Sequence, residues 1–114
     1  MKPPHPFTSV QTWLDVDRLV HEPARLVILT VLNSSESAEF KFLQAMTGLT
    51  KGNLSSHTAK LESANYIHIA KRFRGKVPST TYRITPQGRT ALQGYLRAIS
   101  VIARDADPTS LRSR

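Results

Sequence analysis

The sequence predicts a mainly α-helical domain carrying one small β-hairpin, an α+β arrangement, and three observations predict it. Apolar residues recur at helical spacing through the first half of the chain, the period drops to two on either side of a glycine-containing basic stretch, and spacings of three and four return from Leu92 onward. The length of 114 residues suits one modest core.

Taken in order, residues 1–12 read as a flexible arm, because Pro3, Pro4 and Pro6 remove backbone donors and oppose helix formation. Order is expected from Trp13 and Leu14. A short helix is expected from Asp15 to His21, with Asp15 as its cap and Val16, Leu19 and Val20 on one side. Pro23 fits the first turn of the next helix, where a missing N–H costs nothing. In "PARLVILTVLN" the apolar residues cover most of the helix surface, as suits an element at the centre of a core. "NSSES" supplies the turn that ends it.

"EFKFLQAM" predicts a short second helix with Phe40, Leu43 and Met46 spaced by three, and "TGLT" a tight break containing Gly48. Thr50 caps the following helix, 50–64, whose inner face carries Leu54, Thr58 and Leu61. Asn65 suits a left-handed terminator. Ile67 and Ile69, then Tyr82 and Ile84, alternate with their neighbours, so two strands flank the basic tip. Gly75 permits the turn and Pro78 tolerates a break in the ladder. Thr85 and Pro86 start a long helix to about Arg104. The domain is therefore expected over 13–104, with a flexible tail over 105–114.

Sixteen Lys and Arg against eight Asp and Glu give a net charge of +8, which draws the chain toward polyanions, nucleic acid before an acidic membrane or protein. Between Lys51 and Lys76 six cations face one acid, Glu62, so +5 falls within 26 residues. The absence of cysteine excludes disulfides, thiolate metal sites and cysteine nucleophiles. His5, His21, His57 and His68 lack a ligand spacing, and "GK" at 75–76 lacks the rest of a phosphate loop. No nucleophile elbow is present, so neither catalysis nor a cofactor or metal is expected. The N-terminus reads as neither a secretory signal nor a membrane span, and a cytoplasmic location is expected.

Two short helices joined by a glycine-containing turn describe a helix-turn-helix, a pattern that any small bundle also contains. The face opposite Leu54, Thr58 and Leu61 gathers Gly52, Asn53, Ser56, Lys60 and Ser63. Residues 51–60 hold no carboxylate, unlike ordinary exposed helices rich in Glu–Lys pairs. Asn53 suits adenine edges, Ser55 and Ser56 either base or phosphate, Lys51 and Lys60 phosphate or guanine, and His57 phosphate or base. A hairpin directly after this helix would carry Arg72, Arg74 and Lys76 along the phosphate backbone or into the minor groove. The bland alternatives are a solvated helix face and a loop that aids solubility.

The stretches "LVHEPARLVILTVL" and "FKFLQAMTGLTKGNLSSHTAKLESANYIHIAKRFRGKVPSTTYRITPQGRTAL" together resemble the small single-domain winged-helix DNA-binding regulators of the MarR/ArsR-like type, over roughly residues 15–97. The hairpin and the "TPQGR" element are the more specific parts. The resemblance implies a homodimeric transcriptional repressor or activator on double-stranded DNA. Helix 50–64 would enter the major groove and the wing, 71–80, would lie on the backbone or in the minor groove. It assigns Lys51, Asn53, Ser55, Ser56, His57 and Lys60 to the recognition helix and Arg72, Arg74 and Lys76 to the wing. Two departures matter: Thr58 stands at a usual leucine, where its hydroxyl can bond back to the Leu54 carbonyl, and Asn65 replaces a glycine.

The last helix carries Leu92, Tyr95, Leu96, Ile99, Ile102 and Ala103 at spacings of three and four. This stripe either folds back wholly onto the core or pairs with a second copy, and the resemblance favours a dimer interface of N- and C-terminal helices that includes the segment around Trp13. A winged-helix protein-interaction module, its wing docked on an acidic partner, is the competing function. No polar cluster marks a site for a small-molecule effector.

Overall fold

The computed structural model describes residues 15–107 and Thr109. The expected arm 1–12, Trp13 and the chain end past Thr109 lie outside the described residues. Among these residues four helices and a three-stranded antiparallel sheet follow in the order α1 (Pro23–Asn33), β1 (Ala38–Glu39), α2 (Phe40–Thr47), α3 (Lys51–Ser63), β2 (Ile67–Arg74), β3 (Val77–Ile84) and α4 (Pro86–Ala106). The α+β class and the winged-helix arrangement follow from this order.

The segment from Asp15 to His21 forms turns instead of the expected helix. The reason is local: the Asp17 carboxylate accepts from Leu19 N at 2.9 Å and Val20 N at 3.2 Å, which closes a turn around a side chain in place of a backbone ladder. Val16 and Val20 are nevertheless buried. Glu22 then caps α1, accepting from Ala24 N at 2.9 Å and Arg25 N at 3.0 Å, with Pro23 in the first turn. Ile28, Leu29 and Leu32 bring α1 into the core, while Val27 is 42% exposed.

In α2 only Leu43 is fully buried, Phe40 is half-buried and Met46 is 57% exposed. A spacing of three falls short of a helical turn by about 60° per step, so Met46 stands about 60° from Leu43 and, two steps on, about 120° from Phe40. Gly48, at φ +70°, ends α2 in the left-handed region. Thr50 caps α3 as expected, accepting from Asn53 N at 3.2 Å. Asn65 does adopt positive φ, +62°.

The sheet order is β1-β3-β2, with Ala38 opposite Tyr82 and Ile67 opposite Ile84. β1 is an element the alternation did not announce, since two residues are too few to show a period. The hairpin ladder is longer than expected and runs without interruption to Arg74 opposite Val77, leaving only Gly75 and Lys76 as the turn. Gly75 alone carries positive φ there, +63°, the pattern of a type II′ turn. Residues flanking a two-residue turn exchange both hydrogen bonds and pairs alternate from there. Pro78, opposite Phe73, therefore falls at a position where β2 asks nothing of its nitrogen.

The base of the hairpin is cinched to the start of α4. Thr85 donates to the Asn65 carbonyl at 2.7 Å and accepts from Gly88 N at 2.9 Å, and Thr85 N donates to the Tyr66 carbonyl at 3.0 Å. A β-carbon at Gly88 would stand 2.1 Å from that carbonyl oxygen, so glycine is what lets α4 approach. α4 extends to Ala106, two residues beyond the expected end. No helix among the described residues is long and apolar enough to cross a membrane.

Candidate nucleic-acid interface

The helix α3 presents three sides. Leu54, Thr58 and Leu61 face the core, and the Thr58 hydroxyl donates to the Leu54 carbonyl at 2.8 Å and the Ser55 carbonyl at 3.1 Å. That bond satisfies a polar group 2% exposed and explains how threonine occupies an otherwise aliphatic position. On the side turned from the core, Gly52, Asn53, Ser56 and Lys60 are all exposed. Their side chains are small or unbranched, so a partner can approach the helix backbone closely.

The third side of α3 splits between its neighbours. His57 is drawn toward α1, its Nδ1 lying 3.2 Å from an Arg25 guanidinium nitrogen and 3.4 Å from Glu22 Oε2. Arg25 also donates from Nε to the Leu19 carbonyl at 2.6 Å. Burial raises the Glu22 pKa, but the Ala24 and Arg25 backbone N–H groups and the charges of His57 and Arg25 outweigh it and hold the carboxyl below its ordinary range. The structure therefore places His57 half-buried in a polar cluster that ties α3 to α1, away from the exposed Asn53 and Ser56.

Toward the sheet, Lys51 and Ser55 line a cleft whose opposite wall is Lys71 and Thr80, with Thr58, Tyr82 and Glu62 also bordering it. Burial, reinforced by Glu62, raises the Tyr82 pKa against a smaller lowering by the neighbouring Thr58 hydroxyl, so the Tyr82 phenol in the cleft keeps its proton. Side chains alternate along a strand, so Lys71 shares the core-side face of β2 with Ile67 and Ile69, whereas Arg72 and Arg74 project to the other face beside His68. Ser79, Thr81 and Arg83 of β3 join that outer face, and Ser37 borders the same cavity. Arg74 donates to the Glu39 carboxylate there, an ion pair exposed on both sides. Lys76 is at the turn and exposed.

The expected site residues thus divide into four groups: Asn53, Ser56 and Lys60 on the exposed side of α3; Lys51 and Ser55 in the cleft; His57 against α1; and Arg72, Arg74 and Lys76 on the outer wing. Lys71, on the cleft wall, belongs to the six cations counted between Lys51 and Lys76 but was not among the expected site residues. Its signal was present, because Ile67, Ile69 and Lys71 share one parity. Among the described residues no group of three His, Asp or Glu could hold a metal ion.

Residues 24–103 match the family described as winged helix DNA-binding domain. An uncharacterized protein of Methanocaldococcus jannaschii is 31% identical over 91 residues, covering 79% of this chain and 98% of that protein. The solved structure of a transcriptional regulator homologue from Pyrococcus horikoshii OT3 superposes with a TM-score of 0.78 at 25% identity, over 87% of this chain and 97% of that one. A MarR-family protein of Porphyromonas gingivalis W83, described as a transcriptional regulator, shares the fold with a TM-score of 0.61 at 18% identity, over 91% and 94% of the two chains.

Proposed function

We propose that this chain, which belongs to the winged helix DNA-binding domain family, works as a homodimeric transcriptional regulator that reads duplex DNA with α3 in the major groove and the wing across the neighbouring minor groove. The observation that carries the reading is the order of side chains from α3 to the wing. A major groove about 12 Å wide admits one helix, and the phosphate strand that borders it separates it from the minor groove. Asn53, Ser56 and Lys60 on the exposed side of α3 suit base edges, Lys51, Ser55, Lys71 and Thr80 in the cleft suit the dividing phosphate strand, and Arg72 and Lys76 suit phosphates beyond it.

The long helix supports the dimer. Leu92 and Tyr95 are buried, but Leu96 is 51% exposed and Ile99 and Ile102 are only half covered. A second copy packed on that stripe would place two recognition helices about one DNA turn, roughly 34 Å, apart. Selection of random duplexes by the purified protein at physiological salt tests the proposal. An enriched inverted repeat with half-site centres about 10 bp apart is the expected result; retention of every sequence alike, or of none, overturns it. Arg72→Ala and Lys76→Ala should each reduce the slope of log affinity against log salt by about 1.

A further inference from the structure

The tip of the wing holds apolar side chains that the core does not use. Phe73 is 72% exposed and Val77 65% exposed, and Pro78 beside them is exposed as well. Phe73 and Pro78 stand opposite each other in the ladder, and Phe73 borders the outer-wing cavity together with Arg72 and Arg74. Lys71, Arg72, Arg74 and Lys76 bracket them, and the sequence contains no acidic residue between Glu62 and Asp105. Cations alone would satisfy a phosphate backbone; an aromatic ring held in water among them needs a partner that is anionic at its rim and apolar within.

We propose that Phe73, backed by Pro78, enters the minor groove as a wedge, unstacks a base step there and bends the duplex. This rests on the DNA-binding reading above. The charge complementarity is that of the groove itself, two phosphate strands flanking stacked bases. The II′ turn keeps the tip to two residues, narrow enough to present one ring to a groove about 6 Å wide. Pro78, with its fixed φ, stiffens the strand behind the ring. Apolar wedges of this kind kink DNA toward the major groove, most easily at pyrimidine–purine steps. The wing would then contribute sequence preference through deformability, at a step that forms no base-edge hydrogen bond.

The test uses the full chain and a duplex of about 30 bp enriched by it from a random pool, carrying a donor and an acceptor fluorophore at its two ends. The wild-type protein should raise energy transfer between the ends. Phe73→Ala should abolish most of that rise and weaken binding about tenfold, in the range of an aromatic contact to bases. Its salt slope should equal the wild-type slope, because no charge is removed, and Phe73→Leu should keep the bend. An unbent wild-type complex, or an equal bend with Phe73→Ala, overturns the wedge while leaving DNA binding intact. Loss of binding to phosphatidylserine vesicles on Phe73→Ala, with the DNA bend unchanged, would assign the tip to a membrane surface instead. A pool from which no duplex is retained overturns the DNA reading and the wedge with it.

Discussion

Along β2 and β3 the inner residues, 67–70 and 81–84, lie against the helices on one face, whereas the outer residues, 71–78, are all exposed, although one antiparallel ladder runs through both stretches. At the inner end Ile67, Tyr82 and Ile84 are at most 5% exposed, and Thr85, Gly88 and the Tyr66 carbonyl lock the hairpin to α4. At the outer end every residue from Lys71 to Pro78 is exposed. The same hydrogen-bonding pattern thus serves as one layer of a core and as an arm free to meet a partner. What separates the two is only what the helices cover.

Breaking the inner end gives the largest expected effect. Gly88→Ala forces a β-carbon against a backbone carbonyl that cannot rotate away, and should cost about 3 kcal/mol of unfolding free energy in urea titration. A stability within about 0.5 kcal/mol of wild type would show that α4 can shift at no cost.

Next comes the cluster that anchors α3 to α1. Glu22→Gln should cost about 1 kcal/mol at neutral pH, the usual contribution of a helix cap. Because the Glu22 pKa is lowered in the folded protein, its stabilisation is present above the ordinary carboxylate pKa and is lost as pH falls through the folded value. The gap between wild type and Glu22→Gln in thermal melts should therefore begin to narrow at about pH 4.5 and close only once pH falls below the lowered folded value. A gap that persists at low pH would assign the loss to something other than the carboxylate charge.

The smallest stability effects belong to the outer end, where the readout moves to DNA. Lys71→Ala should leave stability within about 0.5 kcal/mol and lower the salt slope by about 1, which sets the cleft wall apart from the core residues of its own strand. Glu39→Gln should alter stability least of all, since exposed ion pairs contribute little. By releasing Arg74 it should tighten DNA binding severalfold and steepen the salt dependence; a weaker complex would show that Glu39 orients Arg74 for DNA.

Much of this is legible in the sequence. The helical spacings located α1, α3 and α4, the caps at Thr50 and Thr85 follow from their side-chain oxygens, and the back-bond of Thr58 and the left-handed Asn65 follow from the chemistry of those residue types. The turns over 15–21 were misread because a helical apolar spacing there competes with a carboxylate, Asp17, that satisfies the same N–H groups locally. The short helix over 40–47 forms as its spacing predicts, although a spacing of three holds a face for one step and not for two, which leaves Met46 in solvent.

The sequence by itself determined the four helices, the two hairpin strands, the caps at Thr50 and Thr85 and the concentration of positive charge between 51 and 76, because propensity, capping and composition are properties of a few neighbouring residues. Only the tertiary structure decided which of those charges face the cleft, the outer wing or another side chain. His57 meets Glu22 and Arg25, Arg74 meets Glu39, and Lys71 faces Lys51 across the cleft, through approaches between elements up to 35 positions apart. No periodicity within one strand or helix can specify such meetings, since they depend on how the packed core sets one element against the next.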